Sequence, residues 1–315
     1  MKVMIPVDDL PYSFAALESV IQRKWPDSTE FALVRVIESN DKEADNEHSR
    51  HLDEETRQHV ESTKKWLNGL ARALAPDSVQ KRVKPVILLG DIDKCLAEFA
   101  RDFCPDYIVM GSHDRSPRQR YWLGSIAAKV AGNTGCSVEL VRPGCLHDML
   151  MQERVSMDEV ARIDFTPKRI VIPVDLSRNS DEVTPNWLGR IGGLQGSKVA
   201  LLTVSKTLNH SKNEEKLQSK LEKQAEQLRD TAGITAVEAK VVNGSPSSAI
   251  LEFAAAWEAD LILVSLKGES DGGELIAGST AKAVLDGAHC SVVAVRPGFE
   301  KDFAFTWNKN KAYIC

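Results

Sequence analysis

The chain has 315 residues, enough for two domains of ordinary size, each able to bury its own core. Its composition, 43% hydrophobic and 27% charged, is ordinary for a soluble globular protein, and a net charge of −5 argues against a surface that tracks nucleic acid. No run approaches the roughly 18 apolar residues of a membrane span, no secretory leader is seen, and six scattered cysteines without a Cys-x-x-Cys pair read as reduced thiols; the expected setting is the cytoplasm, without nucleic acid or membrane as partners.

In chain order, the first predicted strand is 2–7, which runs into Asp8. A second follows at 31–37. The charged stretch after it holds His48, His51 and His59 among acids. The spacing of His51, Glu55 and His59 suits a metal on one helix face, but a solvated, charged helix is the reading adopted. Trp66, Leu67, Leu70 and Leu74 then mark an apolar helical stripe. Strands are predicted at 83–88, 106–110 and 137–142. Residues 1–144 are expected to form one domain, and 145–167 a linker with a short amphipathic helix. A second domain is expected over 168–298, with strands at 169–174, 198–204, 237–242, 260–264 and 291–296. Leu217, Leu221, Ala225 and Leu228 make its matching helical stripe, with Gly233 placed as a C-terminal cap. The tail, 299–315, carries Phe303, Phe305, Trp307 and Tyr313, and reads either as a strap or as a frayed end. The strands are short, nearly continuous runs of Val, Ile and Leu, which suits parallel strands covered on both faces. Alternating strand and helix imply α/β architecture: two tandem doubly wound domains, each with a five-stranded parallel sheet.

The chain repeats itself. Cys136 to Gly144 returns as Cys290 to Gly298 with seven of nine positions identical and an offset of 154. The same offset joins Gly90 to Gly244, Asp106 to Asp260, and Gly124-Ser125 to Gly278-Ser279. Near the start, Ile5-Pro6-Val7-Asp8 matches Ile172-Pro173-Val174-Asp175 at an offset of 167, so the first half carries about 13 extra residues between its second and third strands.

One constellation carries chemistry. Gly111-Ser112-His113-Asp114 is followed, nine residues on, by Gly124-Ser125; in the second half Ser265-Leu266-Lys267-Gly268 is followed by Gly278-Ser279-Thr280. Each begins where the fourth strand ends and finishes where a helix starts. Glycines there let the backbone approach an anion, and a helix N-terminus favours negative charge.

This layout, with an Asp ending strand one, resembles the universal stress protein family, whose motif is G-x-x-G-x9-G-[ST]. The resemblance covers nearly the whole chain apart from linker and tail. It implies a strand order 3-2-1-4-5 and a ligand crevice between strands one and four. It further implies that Asp8 and Asp175 accept from base or ribose, and that Pro6 with Val36, or Pro173 with Val204, line a base pocket. Phosphates would meet Gly111, Asp114, Gly124 and Ser125, or Ser265, Gly268, Gly278, Ser279 and Thr280. The implied ligand is ATP or another adenine nucleotide, with or without Mg, and the implied role a cytoplasmic stress response. Asp114 stands where the second glycine belongs, and Ser265 where the first belongs, so the second half reads as the better preserved. The alternative is a nucleotide-free interaction module with both motifs degenerate. No catalytic residue is nominated, and ATP hydrolysis would be weak at most.

Strand five is an edge strand in that order, and an open edge invites pairing. The two halves are expected to pair through it as an internal pseudo-dimer, with Val138 and Leu140 facing Val292 and Ala294; a homodimer of whole chains is left open.

Overall fold

A computed structural model of the chain describes residues 1–38, 54–74, 82–112, 136–142, 157–176, 187–188, 191–192, 194, 196–205, 211–232, 234, 236–266, 278–296 and 305–307. The first half contains β1 (Lys2–Pro6), α1 (Pro11–Ile21), β2 (Arg23–Lys24), β3 (Glu30–Ile37), α2 (Glu54–Leu74), β4 (Val83–Leu89), α3 (Ile92–Phe103), β5 (Tyr107–Gly111) and β6 (Ser137–Val141). A single turn, α4 (Met157–Val160), lies within the segment expected as a linker. The second half contains β7 (Arg169–Pro173), β8 (Ile191–Gly192), β9 (Lys198–Ser205), α5 (Ser211–Ala232), β10 (Ala236–Asn243), α6 (Pro246–Ala256), β11 (Leu261–Ser265), α7 (Ser279–Gly287) and β12 (Ser291–Val295). A last strand, β13 (Phe305–Trp307), comes from the tail. Each of the ten predicted strands falls on an observed one, with ends displaced by one residue at most.

Ten strands form one sheet in the order β10-β9-β7-β11-β12-β6-β5-β1-β3-β4. Each half is a parallel unit of order 3-2-1-4-5, as the resemblance implied. The period of two divides each strand between the sheet's faces. Val3 and Ile5 enter one apolar cluster, where Leu67 of α2 and Leu221, Ala225 and Leu228 of α5 cover the sheet. Met4 enters the other, under Leu96 of α3, Ile250 of α6 and Val284 of α7. Both clusters run through both halves, so the core is continuous across the junction.

Pairing of β6 with β12 makes that junction. They run antiparallel, with Leu140 opposite Val292, Glu139 opposite Val293 and Val138 opposite Ala294. The seam has reciprocal ends. Arg142 N donates to Ser291 Oγ, and Arg296 N donates to Ser137 Oγ, both at 3.0 Å. These two bonds exchange under the offset of 154, as a pseudo-two-fold axis requires. Arg142 also crosses the seam with its guanidinium, donating to Leu285 O at 2.9 Å and Ala288 O at 2.8 Å at the end of α7.

A second, small sheet of order β2-β13-β8 brings the tail between a strand of each half. β13 pairs antiparallel with β2 and parallel with β8, so the tail reads as a strap over its described residues. Beneath it the first half buries an ion pair. Arg23 holds both carboxylate oxygens of Glu139, and Tyr107 Oη donates to Glu139 Oε2 at 2.7 Å. Burial opposes the Arg23 charge, but Glu139 and Tyr107 more than offset this and hold the guanidinium above its ordinary value.

Candidate functional site

The carboxyl ends of β1, β3 and β5 open into a cavity of about 500 Å3. Such a crevice, where strand order reverses, is the ligand position of doubly wound sheets, and the volume suits a small molecule. Four of the residues named from sequence meet there: Pro6, Asp8, Val36 and Gly111. Val34, Leu96 and Met110 give it an apolar floor.

Asp8 is already engaged. Its Oδ1 accepts from Ser13 Oγ at 2.6 Å and from Leu10 N at 2.9 Å, while its own N donates to Ser13 Oγ at 3.1 Å. The carboxylate therefore fixes the turn into α1, whose N-cap, Leu10, offers no side-chain acceptor. Beside it, Arg35 pairs with Asp9 at 2.8 Å and lies over the Trp66 ring. A backbone hydrogen bond, together with Arg35, holds the Asp9 carboxyl below its ordinary value against partial burial. Glu38 and His59 of α2 complete this polar rim.

Gly111 has a reason that does not involve an anion. A Cβ built there would lie 2.1 Å from Tyr12 O and 2.7 Å from Ser13 N, backbone atoms of α1. Helix α1 can approach the end of β5 only because residue 111 lacks a side chain. Gly111→Ala is expected to destabilise the chain by about 1–3 kcal/mol through this overlap. Urea unfolding checks it; an unchanged midpoint would show that α1 yields freely.

In the second half, Pro173 ends β7, Val204 lies in β9 against the apolar cluster, and Ser265 ends β11. Asp175 follows β7, and Thr203 Oγ1 donates to Val174 O at 2.7 Å just before it. Gly278 caps α7 with φ −56° and ψ 150°, a conformation open to any residue, so positive φ does not explain this glycine. Its N donates to Leu266 O at 3.1 Å, which ties the helix start to the end of β11. Ser279 and Thr280 open the helix. Among the described residues positive φ is taken by Gly90, at 132°, Gly196, at 88°, and Gly244, at 139°; Gly90 and Gly244 each lead into the helix after the third strand. Asp114, Gly124, Ser125 and Gly268 lie outside the described residues. Sequence reasoning passed over Ser112, Arg35 and the pocket-side place of His59. The offset of 154 carried the missing signal for Ser112, because its counterpart is Leu266.

No described helix is long and apolar enough to cross a membrane. Among solved structures, a universal stress protein from Archaeoglobus fulgidus DSM 4304 is similar over 94% of this chain and 96% of its own, at 18% identity and a TM-score of 0.58. A functionally unknown protein from Pseudomonas aeruginosa PAO1 is similar over 95% of both chains, at 11% identity and a TM-score of 0.56. At these identities the likeness carries the fold alone. A universal stress protein solved in complex with cAMP matches over 41% of this chain and 97% of its own, at 23% identity and a TM-score of 0.34. The model of the Universal stress protein family matches residues 1–142 and again 166–296, most of each half, and so the chain belongs to the universal stress protein family as a tandem of two such units.

Proposed function

We propose that the chain is a cytoplasmic stress-response protein that binds an adenine nucleotide, ATP or a close relative with or without Mg, in the cavity of its first half. The observation that carries this reading is the meeting of Pro6, Asp8, Val36 and Gly111 around one cavity at the point where strand order reverses. The base would lie on the apolar floor, and the phosphates would run toward the loop after β5. The motif comparison favours the second half, at Pro173, Asp175, Val204, Ser265, Gly268, Gly278, Ser279 and Thr280, as a second station for the same ligand.

The direct experiment is to purify the protein, denature it, and identify any released adenine nucleotide by absorbance and mass. Calorimetric titration with ATP follows. Asp8→Ala is expected to weaken first-half binding by roughly 1–3 kcal/mol, the range for a hydrogen bond to a charged group. Unchanged affinity would remove Asp8 from the site.

A second reading has its own support. Asp8 has a structural task in fixing the turn into α1, and Gly111 has one in admitting that helix. Both residues would then be expected in a nucleotide-free interaction module too. Clean protein with no thermal shift on adding ATP favours that reading.

A further inference from the structure

Ser112 stands just past the end of β5, 3% exposed, and its Oγ finds no hydrogen-bond partner among the described residues. It lines the first-half cavity. The repeat supplies an internal control. Ser112 N donates to Val141 O, and Leu266 N, 154 residues on, donates to Val295 O. The two residues thus occupy the same backbone station. Leu266 is 8% exposed and packs in the apolar cluster beneath the sheet. An apolar side chain meets every packing need of this station, whereas a buried hydroxyl without a partner is destabilising. The Ser112 hydroxyl therefore answers to something that enters the cavity.

Charge narrows what that is. β1 runs parallel to β5 with Val3 opposite Tyr107 and Met4 opposite Ile108, and beyond the ends of these strands Asp8 and Ser112 line the same cavity. Asp8, Asp9 and Glu38 make this rim acidic, and Arg35 is already drawn to Asp9. Phosphate is disfavoured beside these carboxylates. A neutral group bearing hydroxyls is suited, since the carboxylate accepts and a serine hydroxyl both donates and accepts.

We propose that Ser112 is a specificity-determining residue of the first-half site, bonding one ribose hydroxyl of the nucleotide while Asp8 accepts from the other. This rests on the nucleotide reading above. The site would then take ribonucleotides in preference to deoxyribonucleotides.

The test titrates the full chain, wild type and Ser112→Ala, with ATP, 2′-deoxy-ATP and 3′-deoxy-ATP. Ser112→Ala is expected to lower ATP affinity about tenfold. One deoxy analogue should bind wild type and variant alike, because the hydroxyl that Ser112 holds is gone. The nucleotide-free variant should melt at the wild-type temperature or higher, since an unpaired buried hydroxyl has been removed. Wild-type affinity for ATP in the variant overturns the assignment, as does an equal loss for all three ligands or a lower melting temperature without nucleotide. A wild-type chain that takes up no ATP overturns the underlying reading, and that result is seen before any variant is compared.

Discussion

Glu139→Ala is expected to destabilise the protein by roughly 3–5 kcal/mol, the cost of leaving a buried charge without its partner. Arg23 and Glu139 have side chains only 1% and 4% exposed, so water cannot replace the lost carboxylate. The second half indicates the remedy. At the positions of Glu139 and Tyr107 it carries Val293 and Leu261, both buried in the same kind of sheet. The fold does not need the ion pair; once built, however, neither member can leave alone. Arg23→Met with Glu139→Leu, placed in a Tyr107→Phe background so that no buried phenol is left without its acceptor, should therefore recover most of the loss, since replacing a buried pair by apolar groups of similar volume is often neutral or better. Urea unfolding of the single and combined variants measures both values. A single variant as stable as wild type would mean that the site opens to water.

The same cluster sets an alkaline limit. Burial and the neighbouring Glu139 charge push the Tyr107 phenol well above its ordinary value of 10.0. Below that value the phenol is protonated in both folded and unfolded chains, and its contribution is complete. As pH rises past it, the unfolded chain gives up its proton first and stability falls. Tyr107→Phe should flatten this alkaline limb of a stability-versus-pH curve, and an unaltered slope would assign the limb elsewhere.

What was legible in the sequence follows from how local its causes are. The ten strands of the main sheet could be read because each is a short apolar run whose alternate residues meet opposite faces, as Val3, Met4 and Ile5 do. The seam could be read because the repeated block ends in an edge strand. The Arg23–Glu139 pair could not, since its members lie 116 residues apart and a charge inside a strand normally signals solvent. Gly111 was legible as a glycine that something approaches closely, but its neighbour proved to be the carbonyl of Tyr12. Two-residue strands such as β2 and β8 leave no periodicity to find; they exist only because β13 lies between them.

Arg142→Ala should loosen the two halves from each other by about 3 kcal/mol. Two hydrogen bonds from a charged donor are lost, each worth about 1.5–3 kcal/mol, and partial exposure of Arg142 discounts their sum. The helix they cap, α7, has no basic residue of its own in its last turn. Its final carbonyls, with the negative end of the helix dipole, are met by a cation from the other half. Arg142→Lys should recover only part of the loss, since an ammonium lacks the planar fork that reaches Leu285 O and Ala288 O together. The strand pairing itself is short, three residue pairs with a serine–amide bond at each end, so few other contacts within it can compensate. Hydrogen exchange on the intact chain reads the effect. Amides of β6, β12 and the last turn of α7 should exchange faster in Arg142→Ala than in wild type, while those of β3 and β9, far from the seam, keep their protection. Uniformly faster exchange would instead mean global destabilisation. Unchanged exchange along β6 and β12 would show that the strand pairing and the continuous apolar core hold the halves together without Arg142.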